Sequence, residues 1–229
     1  YILSAIITLG ALSSCVTNKG LTSKTEAYKD LYEQQPLTIA IMPPINKTNN
    51  VEAKEFLYTT LGRPLNEAGY YVISPFLALE MFKTESAYDS ELFINGSLSK
   101  FKDVLGADAV IFTTINRWEK KAGWSNTVNV GIEYSIRTTK DNKEIFYRKG
   151  DLTYDASTSS GGGGLIGLAI EKAASAINTA ATDHVRVARA CNDFVLSDIP
   201  AGQYNPKKGV DGAEIAGPKE VKAVVKNIK

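Results

Sequence analysis

The chain has 229 residues, a formal net charge of +1 with acids and bases interspersed, and an apolar share of 44%. That length holds one substantial domain or two small ones, and the apolar share is ordinary for a globular protein. The charge balance argues against the basic footprint of a nucleic-acid-binding protein, and a single histidine excludes any multi-histidine metal centre.

The first element is an uncharged apolar run from Ile2 to Leu12. It is too short to cross a hydrocarbon core, which takes about 20 apolar residues, and has the length of a signal-peptide core. Small residues and a cysteine follow, Leu12-Ser13-Ser14-Cys15, in the pattern of a bacterial lipobox. Residues 1–14 therefore read as a lipoprotein signal whose start is truncated, since the chain opens at Tyr1 without a Met and a basic segment. In lipobox chemistry the Cys15 thiol takes a diacylglyceryl thioether, the bond before it is cut, and the freed amine is acylated. Two or more chains anchor durably where one holds only marginally. The bland alternatives are a buried amphipathic helix or a secretory signal with an incidental cysteine. Val16 and Thr17 put no Asp after the cysteine, which by analogy with enterobacterial sorting favours the outer membrane, on its periplasmic face rather than the cell surface. With Cys15 lipidated only Cys191 remains, so the monomer has no internal disulfide.

Residues 15–35 then read as the lipidated cysteine, a polar tether and a short helix. The tether, Val16 to Thr22, is about seven residues and reaches at most roughly 25 Å, which holds the body near the membrane. Ser23 and Glu26 have capping-box spacing, and Tyr28, Leu31 and Tyr32 recur at helical spacing.

Residues 36–197 read as an α/β domain. Leu37 to Met42 is a short apolar strand stopped by Pro43-Pro44. A helix spans about 51–68, kinked at Pro64 and ended by Gly69. Tyr70 to Ile73 is a second strand; Ser74 and Pro75 open a helix through Phe82. Leu98 to Leu105 is a short helix ending at Gly106, and Ala109 to Ile115 a third strand. Val128, Val130, Ile132, Tyr134 and Ile136 then alternate with polar residues, the mark of an antiparallel strand with one covered face. A turn at Lys140 to Lys143 leads to another strand, in which Ile145 and Tyr147 hold one parity and Leu152 and Tyr154 the other, so a bulge is expected at Gly150. A long C-terminal helix follows, from about Leu165 to Leu196. Residues 198–229, rich in Gly, Pro and Lys, are expected to be a flexible tail with at most a weak helix after Pro218. The order βαβαβ followed by a hairpin and a helix implies a single mixed parallel/antiparallel sheet with packed helices.

No catalytic constellation stands out, and no cofactor or metal is expected. Gly162 to Gly167 fits GxGxxG with Asp183 about 20 residues on, but that Asp falls inside the same predicted helix rather than after a second strand, so a hinge or helix-entry turn is the better reading. Its residues Gly163, Leu165 and Ile166 are candidates for an apolar partner surface. His184 and Cys191 share a stripe of one helix but stand about 10 Å apart along its axis, and both read as packing residues. Trp118 and Trp124 flank a polar stretch that suggests a hairpin tip. Its two tryptophans are either partner anchors or fold back onto the body, and the sequence leaves both open.

Three stretches, Pro36 to Thr48, Pro64 to Val72 and Gly106 to Val110, together with Pro200 to Pro206 after the long helix, resemble a family of bacterial lipoproteins of unknown function, the meningococcal vaccine-antigen lipoprotein family. The match runs from about Tyr28 to Pro206 and carries the Pro-Pro-x-Asn and Gly-Ala-Asp-Ala motifs in order. The resemblance implies a fold like the amino-terminal domain of TolB, shared in outline with the curli-secretion lipoprotein CsgG, and association with CsgG-like envelope lipoproteins. No catalytic residues are established for such a family, so the resemblance carries none over. The expectation is a non-enzymatic lipoprotein, anchored in the outer membrane through Cys15, that acts as a binding or scaffold component of an envelope transport or secretion assembly and forms homo-oligomers or contacts other envelope lipoproteins. The alternatives are a regulatory lipoprotein for cell-wall synthesis, against which the short tether argues, and a tethered ligand-binding protein.

Overall fold

The computed structural model describes residues 22–83, 90–121, 127–155 and 184–226. Ser23 caps the first helix as its spacing predicts, its Oγ accepting from Glu26 N at 3.3 Å. The turn Lys24–Ala27 (α1) passes through Tyr28 into Lys29–Gln34 (α2). The apolar run that follows forms Thr38–Ile41 (β1). Pro43 and Pro44 have no N–H to give a ladder and interrupt it, and the chain resumes as Ile45–Asn46 (β2), farther along the same neighbouring strand.

The helix expected over 51–68 is two helices, Val51–Thr60 (α3) and Gly62–Glu67 (α4). Pro64 cannot donate to the Thr60 carbonyl and its ring crowds it, so the break falls at Leu61, whose N–H turns to Tyr58 O. Gly69, at φ 89°, closes α4 and leads to Tyr71–Ile73 (β3). Pro75–Lys83 (α5), an unexpected turn Ser90–Phe93 (α6), and Ser99–Leu105 (α7), ended by Gly106 at φ 70°, follow. Then come three long strands, Ala109–Lys121 (β4), Thr127–Thr138 (β5) and Glu144–Asp155 (β6). Of the helix expected over 165–196, the structure describes His184–Val195 (α8), and residues 165–183 lie outside the described residues.

One mixed sheet runs in the order β3-β1-β4-β5-β6, with β2 beside β4. Helical crossovers make β3, β1, β2 and β4 mutually parallel, and the hairpins make β4, β5 and β6 antiparallel. The expected fold class holds. One face is covered along its length: Ile39, Ile111, Tyr134, Phe146 and Leu152 pack with Leu57 and Leu65 of α3 and α4 and Val187 and Cys191 of α8. Among the described residues, the opposite face is covered over the parallel half, where Ala40, Met42, Val110 and Phe112 meet Leu98 and Phe101.

Two expectations fail. No parity change occurs at Gly150: Phe146, Arg148, Gly150, Leu152 and Tyr154 all lie on the buried side, and the register shift falls between Ile136 and Arg137, opposite Ile145. The misleading residue is Arg148, a cation only 2% exposed. Gly150 has another use, since a Cβ there would sit 2.8 Å from Val195 Cγ2. The missing side chain lets α8 lie against β6.

The second failure is the tail, which is folded over residues 198–226. Gly202 N and Tyr204 N donate to Ala68 O and Gly69 O at 2.8 and 2.9 Å. The buried Asp211 accepts from Ala201 N at 2.8 Å through Oδ2. A 3-10 turn, Asp211–Ala213, leads to Glu220–Lys226 (β7), a strand where a weak helix was expected, and it extends the sheet parallel to β6. A segment poor in large apolar residues cannot build a core, but it can add to an edge that already exists. There Val225 is buried and the backbone finds a ladder.

Candidate interaction surfaces

Trp118 lies near the far end of β4, and its ring folds back onto the body. It is 5% exposed. Its Nε1 donates to His184 Nδ1 at 3.0 Å, and the two rings stack at 5.8 Å with 7° between planes. Phe56 stacks on His184 as well, at 5.8 Å. Because Nδ1 accepts, a neutral His184 carries its proton on Nε2, which stands 3.7 Å from Glu52 Oε2. The cluster fastens the start of α8 to β4 and α3. In this structure Trp118 packs onto the body, as in the second of the two readings the sequence left open. Trp124, Gly163, Leu165, Ile166 and the lipidation residue Cys15 lie outside the described residues.

Cys191 is fully buried, and burial pushes its thiol well up, which removes the thiolate a nucleophile needs. Among the described residues no three His, Cys, Asp or Glu side chains gather as a metal site. No described helix is long and apolar enough to cross a membrane.

The buried polar groups instead tie elements together. Asn192 on α8 accepts from Tyr134 OH at 2.6 Å and donates to Leu57 O and Thr60 Oγ1 at 3.1 and 2.9 Å, so one amide joins α8, β5 and α3. Arg148 donates to Val195 O at 2.9 Å, to Asp198 Oδ2 at 2.9 Å, to Asp198 Oδ1 and to Tyr28 OH, while Gly217 N donates to Asp198 at 2.6 Å. Burial pushes the Asp198 carboxyl up, but the donors from Arg148, Gly217 and Tyr28 outweigh it and hold the group below its ordinary value. Tyr28 is pushed up to about 12, by burial above all and against the pull of Arg148. It therefore stays a neutral donor. Sequence reasoning missed both clusters, because their partners are distant in the chain.

The motifs that carry the family resemblance serve the same end. Asp108 of Gly-Ala-Asp-Ala accepts through Oδ2 from Leu37 N, Thr38 N and Thr38 Oγ1, each at 3.0 Å, and through Oδ1 from Lys102 Nζ at 2.6 Å. It clips the start of β1 to the start of β4. Asn46 of Pro-Pro-x-Asn donates to Asn50 O at 2.7 Å and accepts from Thr48 N and Oγ1 at 3.0 and 2.8 Å, shaping the loop from which Asn50 caps α3 through Ala53 N. Tyr70 OH donates to Pro200 O at 2.8 Å, joining the second motif to the last. These are structural clips, with no reactive group among them.

What remains open is surface. Over β5, β6 and the end of β4, the face without cover among the described residues is polar and internally paired: Asn116 donates to Glu133, Ser135 to Glu144, Thr153 to Asn129, and Arg117 pairs with Asp151. At the other end of the sheet, Tyr71 on the edge strand β3 is 58% exposed, and Phe76 and Leu77 in the first turn of α5 are 72% and 53% exposed. The apolar concavity between α2 and the tail, lined by Leu31, Tyr32, Tyr70 and Pro200, has a volume of about 60 Å³. That is far below the several hundred Å³ of an ordinary ligand pocket.

The sequence model of a family described as "Putative lipoprotein GNA1162-like" matches residues 26–203. The lipoprotein NMB1124/NMB1162 of Neisseria meningitidis serogroup B is 24% identical over 174 residues, covering 76% of this chain and 79% of its own length. Among solved structures, lipoprotein GNA1162 of Neisseria meningitidis is 21% identical, covers 65% of this chain and 100% of its own, and superposes with a TM-score of 0.49. A PelC dodecamer subunit from Paraburkholderia phytofirmans is 13% identical, covers 63% of this chain and 87% of its own, with a TM-score of 0.37.

Proposed function

Because the chain belongs to the GNA1162-like lipoprotein family, we propose that it is a non-enzymatic binding or scaffold protein of the cell envelope, held at the outer membrane by lipid on Cys15 and facing the periplasm. The observation that carries the reading is the use of its polar residues. The buried clusters around Arg148, Asn192 and Asp108 are occupied in joining elements, while one half of one sheet face is polar and has no cover among the described residues. A protein built this way offers surface rather than chemistry. Its partners in this reading are other anchored envelope proteins, CsgG-like lipoproteins of a transport or secretion assembly first among them.

The test is crosslinking in cells followed by affinity purification. Recovery of an envelope lipoprotein supports the reading, recovery of a cell-wall synthase moves the protein to a regulatory role, and recovery of no envelope protein overturns it. Cys15→Ala tests the anchor separately. The variant is expected to leave the membrane fraction and lose function while its domain still folds. Full complementation by a soluble form would show that anchoring is dispensable.

A further inference from the structure

The sheet ends on two unlike edges. The β3 edge is three residues long, whereas β7 offers seven with no partner on its outer side among the described residues. A long row of unpaired N–H and C=O groups is a template for another strand, and proteins ordinarily shorten or cover it. The register with β6 fixes which groups are free. Lys149 N donates to Lys219 O at 2.8 Å. With a period of two, Val221, Ala223 and Val225 turn their backbone groups toward β6, and Glu220, Lys222, Val224 and Lys226 turn theirs outward.

We propose that the β7 edge pairs with the β7 edge of a second copy, antiparallel about a twofold axis at Ala223, so that the two sheets continue as one. The sequence selects both the occupant and the register. In an antiparallel pair the outward-bonding residues must face one another. Centring on Lys222 sets that lysine against its own copy, and like charges directly opposite are destabilising; centring on Val224 carries Glu220 and Val221 past the end of the facing strand. Centring on Val221 leaves Val224 without a partner strand. Centring on Ala223 overlaps the whole strand and sets Glu220 opposite Lys226 and Lys222 opposite Val224. Val221 then faces Val225, which continues the buried side of the sheet. Val224, 66% exposed in the single chain, comes to lie beside the aliphatic stem of the facing lysine. The contact is isologous and closes at two copies. β7 lies beyond residues 26–203 matched by the family, so the inference rests on this chain's own extension and not on the proposed envelope partners.

The experiment is the mass of the full chain in detergent, by sedimentation equilibrium. The chain is expected to be a dimer. Val224→Pro removes an outward N–H and no bond to β6, and it is expected to weaken dimerisation by at least about tenfold with the thermal midpoint of the monomer unchanged. A second pair of variants keeps the test independent of how well that proline is tolerated. Ala223→Cys faces its own copy across the axis at a separation of about 4.5 Å between Cα atoms, within disulfide range, and is expected to crosslink on mild oxidation; Lys222→Cys is not. A monomer at tens of micromolar, a dimer that survives Val224→Pro in a folded protein, or crosslinking through Lys222→Cys but not Ala223→Cys each overturns the proposal.

Discussion

Phe112 and Ser135 face each other across β4 and β5 on the same side of the sheet, yet Phe112 is 1% exposed and Ser135 is half-buried in a polar lattice. The boundary between the two halves of the molecule runs between them. On the β4 side the sheet is parallel and covered twice, by α3 and α4 on one face and by α6 and α7 on the other. On the β5 side the β4, β5 and β6 strands are antiparallel, with β7 added parallel to β6, and among the described residues it is covered once. Each difference follows from the connections. A crossover helix must lie on a face of the sheet, so parallel pairing brings its own cover, while a hairpin brings none. The half with two covers carries the chain's identity as a fold, and the half with one carries its free surface.

Breaking the doubly covered half has the largest expected effect. Phe112→Ala empties a site enclosed by Phe101, Leu98 and Met42, and is expected to cost about 4 kcal/mol in urea unfolding. Ser135→Ala, its neighbour on the same face, is expected to stay within about 0.5 kcal/mol. Equal costs would erase the boundary.

Next comes the Arg148 cluster on the face both halves share. Arg148→Ala leaves Asp198 with Tyr28 and Gly217 as its remaining donors, and since Asp198 is partly exposed the expected loss is about 3 kcal/mol, toward the low end for a broken buried pair. The pH dependence has a fixed sign. The carboxyl of Asp198 lies below its ordinary value of 3.8 in the folded chain, so the unfolded state binds its proton first as pH falls. Its contribution is complete above that value and disappears as pH drops through the folded pKa. Urea midpoints at pH 7 and pH 3 are expected to converge between the parent and Arg148→Ala as acid removes what the pair contributes. A gap that stays constant with pH would mean that packing, and not the ion pair, makes the loss.

The sequence made the fold legible where the cause is local. The strict alternation of β5, the double proline after β1, the Ser23 cap and the glycine at 106 each act within a few residues. It failed where the cause is distant. Nothing near Arg148 announces that Asp198 and Tyr28 will make a cation tolerable on the buried side of β6, and that one residue produced the false parity change at Gly150. Nothing in the polar tail announces a strand, because β7 depends on an edge supplied by β6. The interaction surfaces suffered most. The sequence leaves Trp118 open between a projecting anchor and a packing residue, because the Nδ1 that accepts from its Nε1–H belongs to His184, 66 positions away.

The smallest effect is expected from an ion pair that looks the same on paper. Arg117 and Asp151, like Arg148 and Asp198, join a strand arginine to an aspartate, but their side chains are 39% and 37% exposed against 2% and 21%. Both charges keep much of their hydration, so the pair has little desolvation cost to recover and gives little when made. Arg117→Ala is expected to shift stability by under about 1 kcal/mol, and raising the ionic strength should shrink that further. If the proposed function is correct, the same substitution should matter more for partner capture than for folding, because it removes charge from the uncovered face. A loss comparable to that of Arg148→Ala, read from the same urea curves, would mean that the open face is covered in the working protein.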